Sequence, residues 1–370
     1  MKALKELAYA SMLLLASCTV QEEMKELTID FETKVPLEVV EEHLQIDSLV
    51  CISANGCFIS RFDKMIPSGD YIYVLDTMQG VVFKVDLSSR TFSRFIDKAG
   101  SARDEYIDIA DIAMDSQGNL LVYDSESAKV NVYDSSANYV RTVKVNCGTS
   151  LAVSPGGQIG INAGQMEEAQ IFIYSADGAE EHRVRHEVQH PSFSFDNVRG
   201  IAQWKDGFVF TVPFDYHIYM TDGETVIPLV NLNCGKKQCD VESLKKLDFM
   251  ACREAVFGMS DKIMYFSNIA VYDGKFFLST DLNDQLLYDS EQDSVLVVSN
   301  VEAPYNILFS TPLFVNAKGQ FCCVTTSANM VNAYLPFIEV NGAKSPKLDV
   351  KRENTGDAAS SFWILTGRVK

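Results

Sequence analysis

The stretch Tyr71-Ile-Tyr-Val-Leu-Asp76, followed after a polar turn by Val81-Val-Phe-Lys-Val-Asp86, is the clearest strand pair in the chain. The same doublet returns as Leu120-Leu-Val-Tyr-Asp124 and Val130-Asn-Val-Tyr-Asp134. Each half is a short apolar run that ends in Asp, whose carboxylate accepts hydrogen bonds from the backbone of the following turn. A repeated doublet of this kind predicts an all-β repeat architecture.

Four weaker copies follow the two clear ones, and a turn glycine introduces each of the six. The intervals between these glycines are 49, 39, 50, 67 and 45 residues, counted along Gly69, Gly118, Gly157, Gly207, Gly274 and Gly319. A four-stranded propeller blade takes about 40–50 residues. The chain is therefore predicted to be an all-β, six-bladed β-propeller.

The long interval contains a segment of helical character, Asp240–Phe257, in which Asp240 is placed to cap the first turn. Its apolar residues recur at near-helical spacing, at Leu244, Leu247, Ala251 and Ala255. We predict a short helical insertion between blades four and five. It is interpreted as a cover for one end of the barrel, with a functional lid as the alternative.

Another β-run, Phe58–Ile66, precedes the first turn glycine. If it is the outermost strand of a blade, it has no earlier blade to join and must complete the last one, beside the C-terminal run Ser361–Val369. Closing the ring with an N-terminal strand removes exposed sheet edges. Truncation at either end is then expected to unfold the whole ring.

The first 17 residues are typical of a secretory leader, because Lys2 and Lys5 precede the apolar run Leu7–Ala16. The leader ends in Leu15-Ala16-Ser17-Cys18, which resembles the lipobox of bacterial lipoproteins. This resemblance implies cleavage before Cys18 and attachment of palmitate and other acyl chains to it. A plain signal peptide is the alternative. We assign residues 1–17 to the signal peptide, 18–34 to a tether and 35–370 to the propeller.

The charge of the 370-residue chain limits its partners. Asp and Glu number 50 against 32 Lys and Arg, a formal net charge of -18. Such a surface repels phosphate backbones, so nucleic acid is not an expected partner.

Contact with the membrane is expected through the lipid anchor. The chain is predicted to be an outer-membrane lipoprotein of the cell envelope that faces the periplasm or the cell surface. Gln21-Glu22-Glu23 resembles an acidic surface-export signal, and a polar linker is the equal alternative.

The doublet resembles the NHL and TolB-like six-bladed β-propellers, and more closely a group of secreted bacterial propeller lipoproteins of largely unassigned function. That group usually carries a Gly-Pro-Gly-Glu-Tyr loop where this chain has Ala99–Tyr106, and Gly100, Glu105 and Tyr106 remain of it here. The resemblance covers roughly residues 35–370. It implies a fold and a compartment but no reaction, because propellers host binders, lyases, hydrolases and scaffolds.

Sequence motifs of common enzymes are absent from the chain, including Gly-x-Ser-x-Gly, Walker, His-Glu-x-x-His and dinucleotide fingerprints. No catalytic residue is therefore assigned. The leading hypothesis is a non-catalytic binding or scaffold lipoprotein with a glycan, peptide or protein partner. The alternative is a propeller enzyme, a lyase, lactonase or glycan hydrolase, with an acidic or metal site at the channel rim.

Five polar residues are the candidate ligand-binding set. If the strands that they end line the central channel in one direction, the residues meet at a single rim: Asp76, Asp124, Asn162, Asp215 and Asp281. Their oxygens would suit Ca²⁺ or sugar hydroxyls. The alternative is that each residue caps its own turn. No other cofactor is expected.

Three histidines, His182, His186 and His190, are four residues apart. On a strand, neighbouring histidines lie roughly 13 Å apart, too far to share a metal ion, whereas on a helix they could ligate together. An exposed hairpin is the preferred interpretation.

Two cysteine pairs, Cys51 with Cys57 and Cys234 with Cys239, could each close a small loop, although spacing does not determine connectivity.

Overall fold

A ring of six β-sheets forms the protein, so the six-bladed propeller is confirmed. The computed structural model describes residues 24–52, 57–164, 170–186, 190–193, 195, 199–325, 339–340, 343–344 and 362–370. In these residues, six apolar clusters each lie between two successive blades, and a seventh lies beneath the helical insertion. Each blade thus buries both of its faces against its neighbours.

The strands follow the blades in chain order. Blade one contains β3 (Lys64–Ser68), β4 (Tyr71–Asp76), β5 (Val81–Asp86) and β6 (Thr91–Ile96). Blade two contains β7 (Ile109–Met114), β8 (Leu120–Asp124), β9 (Lys129–Tyr133) and β10 (Tyr139–Lys144). Blade three contains β11 (Ser150–Val153), β12 (Ile159–Asn162), β13 (Ile171–Tyr174) and β14 (Glu180–Val184).

Blade four contains β15 (Ile201–Trp204), β16 (Gly207–Phe210), β17 (His217–Thr221), β18 (Val226–Asn233) and, on its outer edge, β1 (Glu26–Thr28). Blade five contains β19 (Phe266–Tyr272), β20 (Lys275–Thr280), β21 (Gln285–Asp289) and β22 (Ser294–Val297). Blade six contains β23 (Phe314–Val315), β24 (Gln320–Thr325), β27 (Phe362–Val369) and β2 (Leu44–Ile52). A separate pair is formed by β25 (Glu339–Val340) and β26 (Ala343–Lys344).

The innermost strand of each blade is the one that precedes its turn glycine. These six strands contact one another from blade to blade, and β23 returns to β3, so together they surround the central channel: β3, β7, β11, β15, β19 and β23. Each turn glycine therefore separates the innermost strand from the second strand and does not mark the start of a blade.

Closure of the last blade by an N-terminal strand is confirmed, but by a different segment from the predicted one. β2 pairs with β27 from Leu44–Val369 to Ile52–Phe362, and β27 pairs in turn with β24. The predicted closing run, Phe58–Ile66, instead leads into β3 on the channel of blade one. The prediction was wrong because it took the strand before the glycine as an outer strand.

The N-terminal segment also crosses the outside of the ring before it reaches blade six. β1 lies parallel to β18, with Glu26 opposite Asn231. The carbonyl of Phe31 then accepts a hydrogen bond from Asn300 Nδ2 at 2.6 Å beside blade five. Helix α1 (Leu37–His43) follows and leads directly into β2. The first part of the chain thus binds three successive blades.

The helical insertion between blades four and five is confirmed. It contains helix α2 (Val241–Leu244) and helix α3 (Phe249–Gly258), which begin after the N-caps Asp240 and Asp248. Short 3₁₀ helices lie at Gly235–Lys237, Val298–Asn300 and Tyr305–Phe309.

Cys234 and Cys239 are buried thiols with no disulfide between them. No helix in the described ranges is long and apolar enough to cross a membrane.

Closure of the ring can be tested at Gly367 in β27. A Cβ atom there would lie 2.2 Å from the Gln45 carbonyl oxygen of β2 and 2.5 Å from the Phe321 ring of β24. Gly367→Ala is therefore expected to lower the free energy of unfolding by about 1–3 kcal/mol in urea titrations. The control is Gly258→Ala, where an added Cβ meets no atom within 4 Å. Equal stability of the two variants would contradict the described packing of β27 between β2 and β24.

Candidate functional site

Five charged residues meet at one end of the central channel, and we call them the channel cluster: Arg61, Asp63, Lys64, Asp111 and Arg199. Asp63 and Arg199 lie just before the innermost strands of blades one and four, whereas Lys64 and Asp111 lie within those of blades one and two. The cluster is thus at the end of the ring where successive blades are linked, which we call the connection face. The insertion leaves the ring at this same face.

Asp111 joins three blades. Its carboxylate lies 2.9 Å from Lys64 Nζ of blade one, and it accepts a hydrogen bond at 3.0 Å from the backbone N–H of Leu151 in blade three. Asp111 is fully buried, and the Lys64 side chain is 19% exposed. Burial lowers the pKa of Lys64, and the charge of Asp111 opposes that shift. Each partner therefore compensates for the burial of the other.

Arg199 crosses the channel. Its Nε lies 3.7 Å from Asp111 Oδ1 of blade two, and its Nη2 lies 3.9 Å from Asp63 Oδ1 at the start of blade one. Blade four and blade one are opposite each other in a ring of six, so the guanidinium must extend across the central axis. The side chain is 9% exposed, and burial lowers its pKa against the opposing charges of Asp111 and Asp63.

The bonding of Arg199 is incomplete. Its Nε is buried without a hydrogen-bond partner among the described residues, and its ion pairs with Asp111 and Asp63 are both longer than hydrogen bonds. Its backbone has φ +59°, a left-handed conformation that is strained for a residue with a Cβ. An unsatisfied buried donor costs about 1–3 kcal/mol, and strained backbone concentrates at functional sites. Of the residues in this cluster, Arg199 is therefore the one whose bonding and backbone conformation are least explained by the stability of the fold.

Two other buried polar atoms that lack a hydrogen-bond partner in the described part of the chain belong to the innermost strands on either side of blade four. Ser150 Oγ is in β11 of blade three, and Asn268 Oδ1 is in a bulge of β19 in blade five. Ser150 is next to Leu151, which donates to Asp111, and Ile269, next to Asn268, donates to the Arg199 carbonyl at 3.1 Å. Ser150 and Asn268 thus each adjoin a residue whose backbone N–H bonds to a member of the channel cluster.

Four of the five residues predicted from the sequence are bonded to nearby turns or loops. Asp76 accepts from the backbone N–H groups of Ser60 at 2.6 Å and Gln79 at 3.1 Å. Asp124 accepts from the Ile107 and Ser127 N–H groups, Asn162 Oδ1 from Gly164 N–H, and Asp281 from Met264 N–H. Burial raises the pKa of Asp76, but its hydrogen bonds outweigh burial and hold that pKa below the usual value. Burial raises the pKa of Asp281.

The premise that these residues end channel-lining strands was wrong. Asp76, Asp124 and Asn162 end β4, β8 and β12, each of which is the second strand of its blade. No hydrogen bond or ion pair joins any two of the five predicted residues. In the described part of the chain, no group of three or more His, Cys, Asp or Glu side chains could hold a metal ion. Binding of Ca²⁺ or of sugar at these residues stays a prediction.

The fifth residue, Asp215, belongs to a second group that we call the histidine cluster: His186, His190, Asp215, His217 and Tyr219. Asp215 accepts from the His217 ring and from Tyr219 Oη, the latter at 2.7 Å. His186 and His190 lie in the connection from blade three to blade four, whereas His182 is in β14. The histidine triplet of the sequence is thus divided, and His217 was missed.

The channel cluster was also missed, because the segment 61–64, Asp111 and Arg199 are distant from one another in sequence and none belongs to a motif. One local signal was present: a charged residue interrupts the otherwise apolar run Ile109–Met114 at Asp111. A charge within a buried strand requires a partner. That rule predicts a partner for Asp111 without saying that it is Lys64.

The comparisons with known proteins agree with this architecture. A sequence model of the family described as "Domain of unknown function (DUF4934)" matches residues 53–355. No curated protein matches. A Bacteroides fragilis NCTC 9343 protein described as exported is 13% identical with a TM-score of 0.68, covering 93% of this chain and 99% of that one. A member of the duf4221 family from Bacteroides vulgatus ATCC 8482 is 10% identical with a TM-score of 0.54, covering 88% and 98%. At these identities the likeness extends to the fold alone.

The different roles of Arg199 and Lys64 can be tested by removing each charge. Arg199→Met is expected to change the free energy of unfolding by less than about 1 kcal/mol. In that variant Asp111 is still paired with Lys64 at 2.9 Å, and Asp63 is still paired with Arg61 at 3.0 Å. Lys64→Met is expected to lower it by about 3–5 kcal/mol, since Asp111 then loses its close partner. Urea unfolding measures both variants. An Arg199→Met variant as unstable as Lys64→Met would make Arg199 a structural residue.

Proposed function

The chain belongs to the DUF4934 family, and we propose that it is a cell-envelope lipoprotein whose propeller binds a glycan or a peptide at the channel cluster without catalysis. Export is supported by the leader pattern and by the similar Bacteroides fragilis protein described as exported. Anchoring at Cys18 is supported by the lipobox-like residues 15–18. The outer membrane is the proposed membrane, with the propeller in the periplasm or at the cell surface.

The observation that carries the proposal is the buried, unsatisfied guanidinium of Arg199. A ligand group with a lone pair would accept a hydrogen bond from Nε and so remove the free-energy penalty of the unpaired donor. Ser150 Oγ can donate or accept, whereas Asn268 Oδ1 can only accept. A ligand that bonds to all three groups must therefore offer both acceptors and donors. Sugar hydroxyls and peptide groups have this character.

The pairing of the carboxylates in the channel cluster supports binding over catalysis. Lys64 holds Asp111 at 2.9 Å, and Arg61 holds Asp63 at 3.0 Å. Both carboxylates are thus bonded to cations of the protein itself before any ligand arrives. The cluster is thus suited to orienting a polar ligand.

A short connection joins the proposed anchor to the ring. Seven residues lie between Cys18 and Glu26, where β1 begins on blade four. The eight steps from Cys18 to Glu26 span at most about 28 Å even when fully extended. The proposed anchor would therefore keep blade four close to the membrane surface.

Ligand binding is tested by thermal unfolding of the full chain carrying Cys18→Ala, which keeps it out of membranes. The probes are chitohexaose, pectin oligosaccharides, heparan sulfate fragments and a random hexapeptide pool. A ligand that binds only the native state raises the melting temperature, and 100 Kd of it stabilises by about 2.7 kcal/mol. We expect the shift to disappear in Arg199→Met and to persist in Asp76→Ala, which removes only a turn cap.

The opposite pattern, a shift kept in Arg199→Met and lost in Asp76→Ala, would move the site to the originally predicted rim. A melting temperature unchanged by all four probes would count against a glycan or peptide ligand of these classes.

Lipidation is tested separately by growing expressing cells with radiolabelled palmitate. Label is expected on the wild-type protein and not on Cys18→Ala, because that thiol is the proposed attachment point. Cys147, which is exposed, supplies the control: Cys147→Ala should incorporate label like the wild type. Label retained in Cys18→Ala would disprove the anchor assignment.

A further inference from the structure

A cleft lies at the end of the ring opposite the connection face. We call this end the turn face, because the innermost strand of each blade turns there into the second strand. The cleft has a volume of about 320 Å³, at the lower end of the range for ligand sites. Residues of blades four, five and six line it, and the structure describes all of them.

The lengths of three neighbouring turns account for the cleft. Two residues join the innermost strand to the second strand in blade four, 205–206, and in blade five, 273–274. In blade six the same turn has four residues, 316–319. Ala317 of this longer turn is exposed and lines the cleft beside the two short turns. The short turns thus leave room for a ligand next to the longer one.

Two aromatic side chains line the cleft, and each belongs to the last residue of an innermost strand. The six residues at this position, in blade order, are Ser68, Met114, Val153, Trp204, Tyr272 and Val315. The repeat therefore does not itself require an aromatic residue there. Trp204 and Tyr272 are half-buried, so each presents part of its surface in the cleft.

Both rings are held in place by packing. Trp204 packs against Phe276 of β20, with the ring centroids 5.5 Å apart. Tyr272 lies against Gly319, where an added Cβ atom would be 2.6 Å from Tyr272 Cε1. Glycine at 319 therefore makes room for the ring, in addition to adopting φ +72° in its turn. Rings fixed in this way lose little conformational freedom when a ligand binds.

Polar side chains accompany the two rings. Lys205 and Asp273 occupy the short turns, and Gln203 precedes Trp204 in β15. Lys205 has φ +52°, a left-handed value that is unfavourable for a lysine, and blade one has Gly69 at the same position of its turn. Backbone conformations of this kind concentrate at functional sites. The cleft therefore combines aromatic surface with a cation, a carboxylate and an amide.

The ammonium group of Lys205 lies 4.3 Å from the centroid of the Trp204 ring. Lys205 is exposed, and cation–π contacts at exposed sites are weak. A ligand ring can therefore replace the ammonium group against the indole at little cost. The displaced ammonium group is then available to donate a hydrogen bond to the same ligand.

A sugar ring matches this combination of groups. A pyranose with equatorial hydroxyl groups has C–H groups on both faces, which pack against aromatic rings, and hydroxyl groups around its edge. Each hydroxyl donates and accepts, as a lysine, a carboxylate and an amide together require. Equatorial β-linkages extend the chain, so that successive rings can meet separate aromatic side chains. The net charge of -18 disfavours a polyanionic glycan.

We propose that this cleft binds a neutral β-linked glycan, whose sugar rings pack against Trp204 and Tyr272. Its hydroxyl groups bond to Lys205, Asp273 and Gln203. The cleft and the channel cluster lie at opposite ends of the ring, so this site does not depend on the binding proposed at the channel cluster.

Tryptophan fluorescence tests binding directly, because the chain has two tryptophans and Trp363 is only 2% exposed. The full chain carrying Cys18→Ala is titrated with cellotetraose. We expect a saturable shift of the emission to shorter wavelength as the sugar covers Trp204. An unchanged emission spectrum, together with no heat of binding in calorimetry, would overturn the glycan site.

Calorimetry of variants places the sugar on the molecule. Trp204→Ala and Tyr272→Ala are each expected to weaken the affinity at least about tenfold, because each removes an aromatic contact. Ala317→Phe fills the cleft from an exposed position, so it should abolish binding and leave the melting temperature unchanged. This third variant decides the outcome if either aromatic variant does not fold.

The matched control is Tyr71→Ala on the turn face of blade one. Tyr71 is 39% exposed and lies beside a lysine in the same way as Trp204, with Lys84 Nζ 3.8 Å from its ring centroid. It does not line the cleft, so Tyr71→Ala should bind cellotetraose with the wild-type affinity.

Three results would overturn the proposal even if cellotetraose binds. Wild-type affinity in both Trp204→Ala and Ala317→Phe would exclude the cleft as the site. Binding lost in Arg199→Met but retained in Ala317→Phe would assign the sugar to the channel cluster. Tetragalacturonate, an anionic chain of equal length, should bind at least about tenfold more weakly than cellotetraose. Tighter binding of tetragalacturonate would overturn the assignment to neutral glycans.

Discussion

The pairing of β2 with β27 is the constraint on which the ring depends. Blade six takes two strands and part of its apolar surface from opposite ends of the chain, and its cluster with blade one includes Ile52 of β2 and Ile364 of β27. Without that pairing, blade one would expose one face and blade six would lack its outer strand. The geometry of the channel follows from closure, because opposite blades face each other across an axis only in a complete ring.

Closure also explains how charges far apart in sequence meet. Arg199 is 88 residues from Asp111 and 136 from Asp63, yet it reaches both because the ring places blade four across from blades one and two. The low-dielectric surroundings strengthen the electrostatic attraction within each pair. Lys64 and Asp111 satisfy each other at close range. Among the described residues, the Arg199 guanidinium has only ion pairs of 3.7 and 3.9 Å, and this difference distinguishes the two cations.

The repeat could be recognised from the sequence because the second strands are apolar and begin at or just after a glycine, and because β4, β8 and β12 end in polar capping residues. Gly69, Gly118, Gly157, Gly274 and Gly319 all have positive φ, which explains why glycine recurs at this turn. The innermost strands were harder to identify because they are short and carry no common residue. For that reason Phe58–Ile66 was assigned to the wrong blade, and the capping carboxylates were placed on the channel. The channel cluster itself depends on three-dimensional proximity that no local pattern encodes.

The strand β1 gives the fold a mechanical property. It is three residues long and lies parallel to β18, held by hydrogen bonds such as Asn231 N–H to the Lys25 carbonyl at 2.8 Å. A force applied to the N-terminus acts first along this short edge strand, and next on the contacts of Phe31 and Val35 with blade five. These contacts all precede β2 along the chain. A pull on the N-terminus would therefore load β1 and the contacts with blade five before it loads the strand that closes the ring.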